Sequence, residues 1–237
     1  MKSLLLLNGS PRGERSNSMK MLFRVAEGWQ RGGGQPPEVR HLARRVDFDR
    51  AVEAFGQADV VLLGMPLYTD SMPALVKAFI EALAPRVKSA TAGETNPTLA
   101  FPTLAFLVQS GFPEASHSRF LERYLAKLAT RLDCSYAGTI VRGGGESLQV
   151  MPDKANEKLW ARLRTVGEQL ARDGHFGQSE LKAIVGVERF STLTAALLAL
   201  LCKLPLMQYY WNSQLKKNGA WDRRFAAPYG PAYRSGN

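Results

Sequence analysis

Short apolar runs alternate with helix-period apolar stripes through the first three quarters of this chain, and that alternation restricts it to βαβ units on a parallel sheet. Runs that are apolar at every position mark strands covered on both faces. They fall at Ser3–Leu7, Val60–Gly64, Thr103–Val108 and, with more small residues, Ser135–Val141. A weaker run, Val39–Leu42, follows the turn Gly32-Gly33-Gly34 and belongs nearer an edge. Between the runs, Leu22, Val25, Ala26 and Trp29 form one helical stripe, and Leu75, Val76, Phe79, Ile80 and Leu83 form another behind Pro73. Leu121, Leu125, Leu128 and Leu132 make a third, Leu159, Leu163, Val166 and Leu170 a fourth, and Arg50–Phe55 a short fifth helix.

Five strand–helix pairs fit an α/β, doubly wound sheet, which places ligands beyond the carboxyl ends of its strands at the switch in strand order. Function is therefore expected in four loops: Asn8–Ser18, Met65–Met72, Gln109–Ser116 and Arg142–Met151. From about His175 the alternation stops. A polar stretch, an apolar run Leu193–Met207 broken by Lys203 and Pro205, and a basic aromatic tail follow. The expected organisation of the 237 residues is one ligand-binding domain over 1–174 and an extension over 175–237.

Net charge is +10, so phosphorylated cofactors, nucleic acids and anionic membranes are all electrostatically admissible partners. Two cysteines, Cys134 and Cys202, exclude a disulfide scaffold and cannot by themselves hold a zinc or an iron–sulfur cluster; both read as buried, inert thiols. The apolar start Leu4–Leu7 is too short for a signal peptide and reads as a strand. A reducing, cytoplasmic setting is expected.

The first loop, Asn8-Gly9-Ser10-Pro11-Arg12-Gly13-Glu14-Arg15-Ser16-Asn17-Ser18, is dense in hydroxyl, amide and guanidinium groups. A phosphate there would take N–H groups at the helix start, hydroxyls from Ser10, Ser16 and Ser18, and charge from Arg12. A plain N-capped helix with a polar turn fits the same residues. Two commoner phosphate motifs are absent: Pro11 stands where the second glycine of G-x-G-x-x-G belongs, and no G-x-x-x-x-G-K-[ST] occurs. The run Arg142-Gly143-Gly144-Gly145 reads equally as a close approach to a ligand or as a mobile turn. In the second loop Pro66 stiffens the strand exit, and Tyr68 offers an aromatic face or sits half-buried in a turn.

Taken together, Asn8-Gly9-Ser10-Pro11-Arg12 with Ser16-Asn17-Ser18, and Met65-Pro66-Leu67-Tyr68 with Met72 through Glu81, resemble the NAD(P)H-dependent FMN reductase family of flavodoxin-like proteins. The likeness covers roughly residues 1–173. It implies a three-layer sandwich around a five-stranded parallel sheet of order 2-1-3-4-5, with the extension as C-terminal helices. It implies FMN, with its phosphate on Ser10, Arg12, Ser16, Asn17 and Ser18. The ring would be lined by Pro66, Leu67, Tyr68 and Thr69 and closed at its other edge by Ser110 and Gly111. The chain is also similar to the iron–sulfur flavoproteins of this superfamily. It lacks their clustered cysteines, so no cluster or other metal is expected.

The implied activity is an oxidoreductase that moves hydride from NADPH or NADH to FMN and on to a small acceptor, a flavin, a quinone or an aromatic nitro or azo compound. No acid–base residue is required, and His41, His117 and His175 form no triad with a nucleophile. His117 falls where a protonatable group would face substrate, or where a solvated first-turn residue would stand. Other readings are an electron carrier without a nicotinamide site and a basic module for nucleic acid or a membrane surface. The expected partner of the extension is a second copy, in a homodimer whose interface or active-site rim includes Leu197–Tyr210. Membrane-surface docking is second, and no nucleic-acid partner is expected.

Overall fold

The computed structural model describes residues 1–91, 101–202 and 205–227. Lys203, expected to interrupt the apolar run Leu193–Met207, lies outside them. In chain order the elements are β1 (Leu4–Asn8), α1 (Asn17–Arg31), β2 (Glu38–His41), α2 (Arg45–Phe55), β3 (Val60–Pro66), α3 (Ala74–Thr91), β4 (Thr103–Gln109), α4 (Arg119–Arg131) and β5 (Ser135–Arg142). There follow the single turn α5 (Ser147–Val150), α6 (Glu157–Asp173), α7 (Gln178–Ile184), α8 (Thr192–Leu201) and α9 (Pro205–Lys217). The five strands are parallel in the order β2-β1-β3-β4-β5, as expected from the alternation and the resemblance.

The unbroken apolar character of the central strands follows from two cores. Leu4 and Leu6 of β1 enter one cluster with Leu22, Val25 and Trp29 of α1 and Trp160, Leu163 and Val166 of α6. Leu5 and Leu7 enter the other, with Phe55 of α2, Phe79 and Leu83 of α3, and Leu121 and Leu125 of α4. Adjacent residues thus bury on opposite faces, which a strand's two-residue period dictates. On the first face α1 and α6 cross at contact distance through Gly28 and Gly167: a Cβ on Gly28 would stand 1.8 Å from the Arg164 carbonyl oxygen, and one on Gly167 2.0 Å from that of Val25.

Strands run past the expected ends. Asn8, Pro66 and Gln109 all stand on strands, because Asn8 still pairs with His41 and Gly64, and Pro66 with Gln109. The second helix begins at Arg45 rather than Arg50, with Phe48 packed against the second core.

The chain divides into compact units over Met1–Arg189 and Phe190–Asn237. Residues 175–189 belong to the first because they finish the β5 edge. A register shift sets Gly138, at φ 120°, opposite Ala105, and the Ala137 carbonyl accepts the Phe176 N–H at 2.9 Å. Phe176 and Ile184 are buried in the first core. Val187 pairs with Glu114, and Arg119 holds Glu188 by two hydrogen bonds of 2.9 and 2.6 Å. A bulged edge covered in this way is closed to further strands.

Cys134 is buried beside β5, where burial pushes its thiol up to about 12. Cys202 is exposed, contrary to expectation, because α8 buries none of its residues.

Candidate functional site

The first loop is organised by a side chain that sequence reading used only as the loop's first letter. Asn8 is fully buried at the end of β1. Its Oδ1 accepts the Ser10 N–H at 3.1 Å and lies 3.4 Å from the Ser16 hydroxyl. Its Nδ2 donates to the Gly13 carbonyl at 2.8 Å and faces Nδ1 of His41 at 3.1 Å. Ser16 then caps α1, its Oγ accepting the Met19 N–H at 3.1 Å. Asn17 and Ser18 occupy the first two helical positions, whose N–H groups helix geometry leaves without an intrahelical partner.

An acid stands at this helix start. Arg12 donates to Gln149 Oε1 at 2.9 Å and lies 3.7 Å from Glu146 Oε1, while Asn17 Nδ2 lies 3.4 Å from Glu146 Oε2. The Oδ1 of Asn17 is buried without a partner. Lys20 secures the same segment by donating to the Leu148 carbonyl at 3.0 Å. Neither Glu146 nor Gln149 was singled out from sequence. Their one signal is position, directly after the glycine run at the end of β5.

The four expected loops meet at one end of the sheet. The Leu67 N–H donates to the Gln109 carbonyl at 2.8 Å, and Gln109 Nε2 donates to the Ser18 hydroxyl at 3.4 Å. The Gly145 N–H donates to the Ser110 carbonyl and the Gly144 N–H to that of Phe112, both at 2.7 Å. The glycine run is therefore a stitched contact rather than a mobile turn: a Cβ on Gly143 would stand 2.3 Å from the Pro113 carbonyl oxygen.

Pro66 is buried at the end of β3, Leu67 is half-buried, and Tyr68 and Thr69 are exposed. Thr69 and Asp70 both have positive φ, 47° and 61°, in a two-residue tip closed by mutual hydrogen bonds between Tyr68 and Ser71 at 2.9 and 3.1 Å. Such a tip favours Asn and Gly, so a β-branched threonine there is strained by ~1–3 kcal/mol. On the third loop, Ser110 donates through Oγ to the Phe112 carbonyl at 3.0 Å, and a Cβ on Gly111 would meet nothing within 4 Å. His117 lies in a 3-10 turn with its ring centroid 5.3 Å from that of exposed Phe112 and Nε2 3.7 Å from Glu114.

His41 couples this site to pH. Burial, and then Arg44, lower its pKa below the usual 6.5 against opposing pulls from Glu14 and Asp47. The bond from Asn8 requires a bare Nδ1, so the neutral ring holds the loop. Its contribution is complete above pH 6.5 and declines as pH falls through the depressed value. Below pH 6.5 the thermal midpoint is expected to drop more steeply for the native chain than for His41→Gln, which keeps a non-titrating acceptor. Parallel profiles would detach His41 from loop stability.

The FMN that the resemblance implies can be tested against these residues. A phosphate monoester needs N–H donors and a cation. Arg12, the Asn17 amide and the N–H groups at the start of α1 supply both, and Arg12 and Asn17 already face a carboxylate. Gly111 leaves the main chain of the third loop approachable. The residues fit the group, with Glu146 the anion that has to withdraw.

A doubly wound parallel sheet with a hydroxyl-rich β1–α1 loop at its switch point defines the flavodoxin-like class. The family model for the flavodoxin-like fold matches residues 2–170, and the chain belongs to that family. Among solved structures, it is similar to an NADPH-quinone reductase from P. pentosaceus (19% identity, TM-score 0.52, covering 72% of this chain and 98% of that one). It is also similar to the apo form of an NADH:FMN oxidoreductase (18%, TM-score 0.53, 81% and 97%). A third is an FMN-dependent NADH-azoreductase from Bacillus anthracis in complex with FMN (13%, TM-score 0.51, 71% and 99%). At these identities the likeness establishes the fold. Comparison with curated proteins found no significant match.

Proposed function

We propose that this protein is an FMN-dependent NAD(P)H oxidoreductase that passes hydride from NADPH or NADH to FMN and then to a small acceptor such as a flavin, a quinone or an aromatic nitro or azo compound. The observation that carries this reading is the convergence of Arg12 and the Asn17 side-chain amide on the Glu146 carboxylate beside the start of α1. It is an anion-recognising arrangement at the place where doubly wound sheets hold ligands. The names of the similar structures support it.

In this reading Ser10, Arg12, Ser16, Asn17 and Ser18 form the phosphate loop. Pro66, Leu67, Tyr68 and Thr69 line the ring, and Ser110 and Gly111 close its other edge. When bound, FMN supplies hydride acceptance from a reduced nicotinamide and onward transfer to the acceptor. The chain binds and orients. Arg12 neutralises phosphate charge, while Ser10, Ser16 and Ser18, whose hydroxyls are buried and engaged within the loops, keep main-chain donors in place. No side chain has to move a proton for hydride transfer. The setting this chemistry calls for is a reducing cytoplasm.

Purification followed by FMN addition, an absorbance spectrum and anaerobic NAD(P)H titration tests the reading. Rapid loss of flavin absorbance with either nucleotide is expected. Flavin that binds but resists both nucleotides would identify an electron carrier, and failure to bind flavin would overturn the proposal.

A ring covered on one side by its binding loops serves nicotinamide and acceptor through the same face, so ping-pong kinetics are expected. Tyr68, 46% exposed at the strained tip, borders that face. Tyr68→Ala should alter acceptor preference more than FMN retention. Intersecting double-reciprocal lines would show a ternary complex and contradict the shared face.

A further inference from the structure

The unit that begins at Phe190 contains an uncovered helix. Along α8, Leu193 is 79% exposed, Leu197 55% and Leu200 62%. Spacings of four and three place these leucines on one face. The helix carries no charged residue. After it come exposed Tyr209 and Trp211, and then a cationic cluster: Arg224 lies 4.0 Å and Lys216 5.0 Å from the Trp221 ring, and Arg224 4.8 Å from Phe225. Lys216, Lys217, Arg223 and Arg224 are opposed in this segment by one acid, Asp222. From His175 onward eight Lys and Arg face three Asp and Glu, half of the chain's net charge.

The geometry points to an anionic lipid surface as what covers this unit. A bilayer interface offers three layers in order: an acyl boundary that takes leucines, a headgroup level that takes indole and phenol rings, and anionic headgroups that take cations. The segment supplies all three. It lies on the membrane rather than across it, because ten helical residues reach only about 15 Å against a hydrocarbon core of about 30 Å. Among the described residues no helix is long and apolar enough to cross a membrane. A second copy, the partner expected from sequence, is the poorer occupant. Pairing this segment with itself brings together two surfaces that each carry one acid, Asp222, and so offers the four cations little opposite charge.

Flotation of the full chain, loaded with FMN, on phosphatidylcholine vesicles with and without phosphatidylglycerol tests the proposal. Partitioning is expected to rise about tenfold or more with the anionic lipid. It should fall as salt shortens the screening length from about 10 Å to about 3 Å. Lys216→Glu with Lys217→Glu should remove the anionic preference, and Leu197→Asp with Leu200→Asp should abolish binding to both vesicles, each leaving circular dichroism and flavin content unchanged. Absence of vesicle binding, or equal binding to neutral and anionic vesicles, would overturn the proposal. So would a sedimenting dimer that binds no vesicle and dissociates in the leucine variant, which would identify a second copy as the occupant.

Discussion

Alanine at Gly28 or Gly167 is expected to destabilise the domain by about 3 kcal/mol, the upper range for overpacking a close contact. On an open helix the same change stabilises by about 1 kcal/mol, because glycine is the poorer helix former. The sign is therefore diagnostic. The added methyl groups would stand 1.8 Å from the Arg164 carbonyl oxygen and 2.0 Å from that of Val25. Both are main-chain atoms of the facing helix, so no rotamer change relieves them and α1 and α6 have to separate. Separation loosens Trp29, Trp160 and Leu163, which these helices bury. Denaturant titration of each variant measures the effect, and a stabilising result would mean that the crossing is not tight.

Replacing Arg12 and Ser16 together with alanine is expected to weaken FMN by several kcal/mol, because charge-assisted hydrogen bonds from Arg12 contribute roughly 1.5–3 kcal/mol each and the main-chain donors that Ser16 holds in place are lost with it. Ser16 also caps α1, and losing a cap costs about 1 kcal/mol of stability. Riboflavin separates the two effects: it lacks the phosphate, so its weaker binding should not depend on Arg12. Glu146→Gln should act in the opposite sense and tighten FMN, since the carboxylate beside Arg12 and Asn17 competes with the phosphate. Flavin fluorescence titration reads all three. Unchanged FMN affinity in the double variant would place the phosphate elsewhere.

The strands were legible because a strand buried on both faces has to be apolar at every position, and Leu4 to Leu7 of β1 show that pattern without interruption; their order came from the family resemblance. The long helices were legible from their stripes. The closing segment of the first unit was not. In residues 175–189 two buried anchors, Phe176 and Ile184, are separated by polar residues, and a seven-residue helix is too short to establish a period. Its hold on the domain comes from partners far along the chain, Ala137 for Phe176 and Arg119 for Glu188.

The candidate site divides in the same way. Local spacing identified the hydroxyl-rich first loop, the Met65–Met72 loop with Tyr68 and the Gln109–Ser116 loop as elements at strand ends, because a strand–loop–helix junction is specified by a few consecutive residues. Long-range pairing decided the rest. Asn8 meets His41 only because β2 lies beside β1, and Glu146 meets Arg12 and Asn17 only because the chain after β5 returns to the start of α1. The sequence by itself determined the sheet, its two cores and the loops able to carry an anion, since burial patterns and turn chemistry act over a few neighbours. The tertiary structure alone decided which acid faces those donors and which histidine has to stay neutral, since each depends on groups that chain folding brings together from far apart.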